Sequence, residues 1–600
     1  MSQNHVLKRN EVPIEQTWDT TTIFKDDEAF EASFKALEEA LPRVNDYQGK
    51  LSQSAETLKE ALTLRNELFY QFGHIYIYAH LNSDVDTANS HYRGLELRAR
   101  SLGSKVSSAF SYFDTELLKS DEALIKSYLE HEDLKIYQHE FELLFKQRAH
   151  KLSLEEETLL AKASNVLSSG SQAFSVLNNA DLKFPSIEDE NGESVQLTHA
   201  RYGRYMESTN RNVREQAFKG LYSVYDQFQN TMASTLSSHV KHSNLISDLR
   251  HFDSARHRAL FSNSIDESVY DALLEAVNEN LPLLHRYVSL RKKALNLDEL
   301  RMYDMYVPMV EEIDMEFTIE EARDIIVDAL KVLGEEYGSI LNKAFTERWI
   351  DAVENEGKRS GAYSSGTYGT SPYILMSWQG TLDNVYTLAH ELGHSVHSYF
   401  TRSNQPFIYG DYSIFLAEVA STTNENLLTD YLLKKYDDPK IQAYVINHFL
   451  DGVKGTIFRQ TQFAQFEHLI HTADQNGTAL TADFLNTEYF NLNKQYYGSE
   501  MTYDDEIKLE WSRIPHFYLN YYVYQYATGF SAASALAHKI LNKDENAVEN
   551  YLTYLKSGSS DYPIEVLKKA GVDMNTNQPT KDALKVFEER LSQLEAIINK

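Results

Sequence analysis

Cysteine is missing from all 600 residues of this chain. Its absence rules out disulfides, thiol nucleophiles and cysteine-ligated metal sites, and it fits a reducing compartment. Proline occurs only 11 times and glycine 24 times, and so few helix breakers over this length predict long helices. Basic residues are outnumbered, 58 Lys and Arg against 88 Asp and Glu, for a net charge of −30. A surface this acidic repels phosphate backbones and anionic headgroups, so neither nucleic acid nor a membrane is an expected partner. No run of about 18 apolar residues occurs, which leaves no candidate membrane span. The stretch from Met1 to Asn10 lacks the apolar segment of a signal peptide, and the expected location is the cytoplasm.

What is present is globular. Hydrophobic residues make up 42% of the chain, enough to build a packed core. From about Asp27 to Leu167 apolar residues recur at helical spacing, as in Leu58, Leu62, Leu68 and Phe72, or Leu95, Leu97, Leu102, Val106 and Phe110. The segment from Phe184 to Leu197 breaks this pattern. Asn191-Gly192 lies between two short alternating runs, which predicts a β-hairpin. We place a domain boundary there, with an N-terminal helical region over 1–195 and a second region over 196–600. Another break, from Glu354 to Trp378, is rich in Gly, Ser, Thr and Tyr and predicts strand and loop.

His390 and His394 bracket the sequence His-Glu-Leu-Gly-His. Four residues apart on a helix, both imidazoles share one face and can grip one metal ion. Glu391 points to the side, where it can reach a water at that metal. Val385, Leu388, Leu392, Val396 and Phe400 fall on the opposite face, giving the helix a packing side and a histidine side. The plain alternative is a helix with two unrelated histidines. A third histidine at metzincin spacing is absent, because positions 397 and 400 hold His397 and Phe400. His397 is expected in a packing or supporting role. Downstream, Glu418 and Glu425 are seven residues apart and share a helix face. Glu418 lies among Ile414, Phe415, Leu416 and Val419, apolar company that makes a carboxylate costly unless paired or metal-bound. Glu418 is therefore the expected third ligand, and Glu425 is expected to orient a ligand histidine. Two imidazoles and one carboxylate suit zinc, one ion per chain.

At these residues the chain resembles the M3 (thimet oligopeptidase-like) metallopeptidases, most closely the oligoendopeptidase F branch. Leu388 to His397 looks like the zinc helix of that family, and Phe415 to Glu425 like its third-ligand helix. Ser360 to Ser364, Pro372 to Trp378, Ile514 to Tyr518, Tyr522 to Gly529 and Glu11 to Asp19 match as well. The resemblance implies a mainly α fold, a two-lobed helical shell around a deep substrate channel with a small β element near the active site. It implies a zinc-dependent endopeptidase for short unfolded peptides, with Glu391 as general base. It also brings a histidine and tyrosines of residues 516–526 to the substrate. His516 matches well. The tyrosine register is open, since one alignment selects Tyr522 with Tyr526 and another selects Tyr521; we take His516 and Tyr522 as catalytic, with Tyr526 next. Two other classes remain as alternatives: a zinc hydrolase of non-peptide amides, and a non-catalytic peptide-binding shell. Retention of Glu391 beside all three ligands counts against the second.

Overall fold

The computed structural model describes residues 6–311, 313 and 315–599. Helices dominate, as the scarcity of breakers predicts, and among the described residues paired strands form three small sheets. The chain folds as two compact units, each assembled from separated stretches. Met1–Ala149, Met315–Tyr431 and Leu536–Gly571 make one; His150–Asp314, Leu432–Ala535 and Val572–Lys600 make the other. Among the described residues, no helix is long and apolar enough to cross a membrane.

In the first unit, the helix Ala55–Asp84 starts where the Ser54 hydroxyl accepts the Thr57 N–H, and the helix Ser90–Ala109 where the Asn89 side chain accepts from His91 and Tyr92. Each cap satisfies donors the helix cannot, worth about 1 kcal/mol. Leu58, Leu62, Leu68 and Ile75 of one helix meet Leu95, Leu102 and Val106 of the other in a shared core. Leu97 breaks the expected stripe and is 55% exposed. It lies two positions past Leu95, on the far side of the helix.

The predicted strand-and-loop region forms a three-stranded sheet. Its central strand, Tyr373–Leu375, runs parallel to Ile350–Asp351 and antiparallel to Tyr363–Ser365, with Ser364 opposite Ile374. Tyr363–Ser365 is thus an edge strand. Tyr373 and Leu375 pack on Trp18, Ile77, Leu81 and Val85. Asp84, at the end of its helix, accepts hydrogen bonds from the Tyr363 hydroxyl at 2.9 Å and from Arg359 Nη1 at 3.0 Å. The helix Ala55–Asp84 therefore fastens this sheet.

In the second unit, the predicted hairpin pairs Ser186–Glu188 with Ser194–Gln196. Gly192 takes φ +77° in its turn, a conformation glycine adopts freely. The helix Arg211–Leu249 buries Val213, Ala217, Leu221, Tyr225, Met232, Leu236 and Val240 along one stripe. The helix Arg459–Gln475 packs Phe463 and Phe466 against Phe517, with ring centroids 5.6 and 5.3 Å away. Just upstream of Phe517, the fully buried Glu510 accepts from Arg459 Nη2 at 2.6 Å, Arg513 Nη2 at 2.8 Å and the Tyr489 hydroxyl at 2.6 Å. Despite its burial, Arg459 and Arg513 hold Glu510 down at about 2. The segment that carries His516 is anchored on both flanks.

Candidate active site

The helix Leu382–Asn404 is capped by Thr381, whose hydroxyl accepts the Asn384 N–H at 3.2 Å. Val385, Leu388, Leu392, Val396 and Phe400 are all buried, none more than 2% exposed. That stripe turns His390 and His394 to the other side, where their rings meet edge to face and their Nε2 atoms are 3.1 Å apart. The helix Ile414–Lys435 brings both carboxylates to them. Glu418 Oε2 lies 3.4 Å from His390 Nε2 and 3.7 Å from His394 Nε2. Glu425 Oε1 lies 2.5 Å from His390 Nδ1, the supporting contact its spacing predicts.

These distances test whether a metal ion fits. Tetrahedral bonds of about 2.0–2.1 Å place ligand atoms about 3.3 Å from one another. The three edges found here, 3.1, 3.4 and 3.7 Å, bracket that value. The Glu425 contact makes Nδ1 of His390 the donor, so that in the neutral ring the lone pair would sit on Nε2, the nitrogen on the side of Glu418 and His394. His390, His394 and Glu418 are compatible with holding a metal.

The electrostatics agree. Burial alone would push the His390 imidazole down, but hydrogen bonds to Glu418 and Glu425 override it and hold the ring up at about 10. Glu418 is held down at about 2 against its own burial by the two histidines. His394, buried beside a charged His390, is pushed down to about 4. Glu391 is 7% exposed, and its Oε2 is buried without a hydrogen-bond partner among the described residues. Burial, with the Glu418 charge adding, pushes its carboxyl up to about 7. Glu391 is thus a buried carboxyl with an unused oxygen, one residue from His390.

The edge strand lies along the same helix. Ser364 Oγ is 2.8 Å from Ser395 Oγ, and the Ser364 backbone hydrogen-bonds the Glu391 carboxylate. Further on, Arg402 Nη2 donates to the Gly366 carbonyl at 3.2 Å and the Tyr368 hydroxyl to the Gln405 carbonyl at 2.8 Å. His397 takes no part in the cluster. It is fully buried, both ring nitrogens lack partners among the described residues, and it stacks on Tyr412 at 3.7 Å. That is a packing role.

Within the second unit, the candidate tyrosines separate by burial. Tyr518 stacks on Phe174 at 4.2 Å and shares a 2.8 Å hydrogen bond with the Thr235 hydroxyl. Tyr521 is 3% exposed and Tyr524 1%. Tyr522 and Tyr526 are partly exposed. Tyr522 is not on the helix, which begins at Tyr524, yet the two rings lie 5.5 Å apart. His516 stands 6.4 Å from Tyr522 and 6.2 Å from Tyr526. Among the described residues, neither the Tyr522 hydroxyl nor the His516 ring makes a hydrogen bond.

The family model described as "Peptidase family M3" matches residues 204–586, and that described as "Oligopeptidase F" matches residues 116–184. The chain belongs to peptidase family M3. Oligopeptidase PepF of Bacillus subtilis (strain 168) is 52% identical over 598 residues, covering 100% of this chain and 89% of that protein. Oligoendopeptidase-F of Enterococcus faecium, a solved structure, is 48% identical with a TM-score of 0.74, covering 96% of this chain and 99% of that one. A solved structure from Chlamydophila abortus is 36% identical with a TM-score of 0.94, covering 99% of this chain and 100% of that one. The chain falls in the oligoendopeptidase F branch of M3, and it is a metallopeptidase hydrolase.

Two supporting contacts that the sequence does not announce, at Gly393 and Asn424, join Ser364 of the matched Ser360–Ser364 stretch at this site. Gly393 lets the two ligand helices touch: a β-carbon there would meet Ala420 O at 2.9 Å and the backbone of Ser421 closer still. Asn424, fully buried, donates to the Ala389 carbonyl at 3.0 Å and accepts from the Tyr337 hydroxyl at 2.8 Å, bracing the same pair. Ser364 reaches Glu391 from the edge strand. Gly393 left a local signal, since a glycine inside a helix costs about 1 kcal/mol and calls for a packing reason, while Ser364 and Asn424 lie within stretches that match the family without showing what they touch.

Proposed function

We propose that this chain is a zinc-dependent oligoendopeptidase that hydrolyses internal bonds of short unfolded peptides. His390, His394 and Glu418 hold one zinc ion in this reading, and the observation that carries it is the spacing of their three ligand atoms, 3.1, 3.4 and 3.7 Å. When bound, zinc supplies Lewis acidity, lowering the pKa of water and polarising a carbonyl. Glu425 keeps His390 in the tautomer and orientation that ligation needs. Glu391 takes the proton of the attacking water through its unpartnered Oε2 and delivers it to the leaving amine. The edge strand Tyr363–Ser365 pairs with the peptide backbone by strand addition, which accepts many sequences because it reads main chain. His516 and Tyr522, with Tyr526 beside them, donate hydrogen bonds to the oxyanion that forms at the scissile carbonyl.

Residues 196–600 then carry the catalytic groups and residues 1–195 form the N-terminal region, whose Asp84 and Trp18 support the edge-strand sheet. A cytoplasmic enzyme suits the cysteine-free composition. The deciding experiment is cleavage of a quenched peptide library with and without chelator, alongside metal analysis. Chelator-sensitive cleavage at internal bonds with one zinc per chain is expected. Glu391→Gln keeps its zinc and loses turnover by about 10²- to 10⁴-fold; a Glu391→Gln variant as active as the parent would overturn the general-base assignment.

A further inference from the structure

Glu467 is a buried acid that the mechanism above does not use. It is 0% exposed on the helix Arg459–Gln475. Oε1 accepts the Tyr521 backbone N–H at 2.6 Å, and Oε2 is buried with no hydrogen-bond partner among the described residues. Burial pushes the carboxyl up to about 8, so the group is mostly neutral at neutral pH. A half-satisfied acid in a core is an expensive feature, and its single bond goes to main chain rather than to another side chain.

That bond meets the chain where the backbone is strained. Asn520 and Tyr521 take φ +52° and +56°, two successive left-handed residues, neither of them glycine. Side-chain-bearing residues avoid this region and persist there only when the surroundings over-determine it. The Tyr521 ring lies 5.6 Å from Tyr270 and 5.0 Å from His471, and its hydroxyl is 3.3 Å from His468 Nδ1. The turn has a consequence for its neighbour. Tyr521 is driven into the core, and Tyr522 emerges partly exposed beside His516 and Tyr526.

We infer that Glu467 is a positioning residue: its hydrogen bond to Tyr521 holds the left-handed Asn520–Tyr521 turn and thereby sets the Tyr522 ring beside those of His516 and Tyr526. The inference rests on the reading in which Tyr522 meets the peptide. A merely structural acid would support stability and leave the contribution of Tyr522 to turnover intact.

The test uses the full-length, metal-loaded enzyme and a quenched peptide. Glu467→Met fills the space and removes the acceptor; Glu467→Gln keeps it. Glu467→Met should lower kcat by about 10- to 100-fold with KM little changed and zinc content intact, while Glu467→Gln should keep most of the activity. Combined with Tyr522→Phe, Glu467→Met should add no further loss, because both act through one hydroxyl. Parental kcat in Glu467→Met, or losses that multiply in the double variant, overturns the inference. Should Glu467→Met fail to fold, Asn520→Ala addresses the turn directly, because a β-carbon without the asparagine side chain disfavours φ +52°. Disfavouring the turn should lower kcat without adding to Tyr522→Phe, and an unchanged kcat counts against the inference. If Tyr522→Phe alone leaves kcat untouched, the reading of Tyr522 falls instead. A crystal structure of Glu467→Met then decides the positioning: a displaced 520–522 turn supports it and an unmoved one refutes it.

Discussion

Gly393 and Ser421 touch backbone to backbone across the two ligand helices, and a β-carbon built on Gly393 would lie 2.5 Å from the Ser421 Cα. No side-chain rotation can relieve that overlap. Gly393→Ala must push the helices apart and carry Glu418 and Glu425 away from the histidines. Overpacking of this kind costs about 1–3 kcal/mol. The expected result is less than one metal per chain together with a lowered Tm. Full metal content at the parental Tm would remove the close approach from the list of things the site needs.

Glu425 reaches His390 through Nδ1, the nitrogen that faces away from the cluster. Glu425→Ala should weaken metal binding by about 10- to 100-fold, and Glu418→Ala should weaken it further. Competition with a graded series of chelators measures both. Equal affinity in Glu425→Ala and the parent would mean that His390 is oriented by packing alone.

Tyr521 and Tyr522 are adjacent but differently placed, which gives a clean contrast. Tyr522→Phe removes a partly exposed hydroxyl and should lower kcat by about 10²-fold if that hydroxyl meets the oxyanion. Tyr521→Phe removes a buried hydroxyl bonded to His468 and should cost about 1 kcal/mol of stability with kcat preserved. The opposite pattern would exchange their roles.

Glu467 makes stability depend on pH in a definite direction. Its folded value, raised by burial to about 8, lies above the ordinary value of 4.5. The stability it contributes is therefore complete below pH 4.5 and is lost as pH rises through 8. Between these limits the loss runs to roughly 1.4 kcal/mol per pH unit. Glu467→Gln cannot ionise, so its Tm relative to the parent should rise between about pH 5 and pH 9. Parallel Tm profiles for the two proteins would show that Glu467 does not ionise across that range.

Local features of the site were legible in sequence because they obey helical arithmetic. His390 with His394 and Glu418 with Glu425 each follow from three- and four-residue spacing on one face, and the buried stripe from Val385 to Phe400 turns the histidines outward. Long-range features were not. Nothing near Gly393 in the chain says that Ser421 will lie against it, and nothing near Tyr363 names Asp84. The choice between Tyr521 and Tyr522 depended on two left-handed residues that carry no glycine to betray them. Leu97 shows the limit of apolar content as a guide, since a leucine off the stripe stays in water. The interleaving of the two units was equally hidden, because residues 536–571 return to the unit that residues 1–149 begin.

The bond from Tyr363 to Asp84 spans 279 residues of sequence. It ties the edge strand that carries Ser364 to the helix Ala55–Asp84, which supplies none of His390, His394 and Glu418. Damage to that N-terminal helix should therefore uncouple two assays that normally move together. The zinc count would stay at one while peptide turnover fell, so that a preparation judged intact by its metal could still be a poor catalyst.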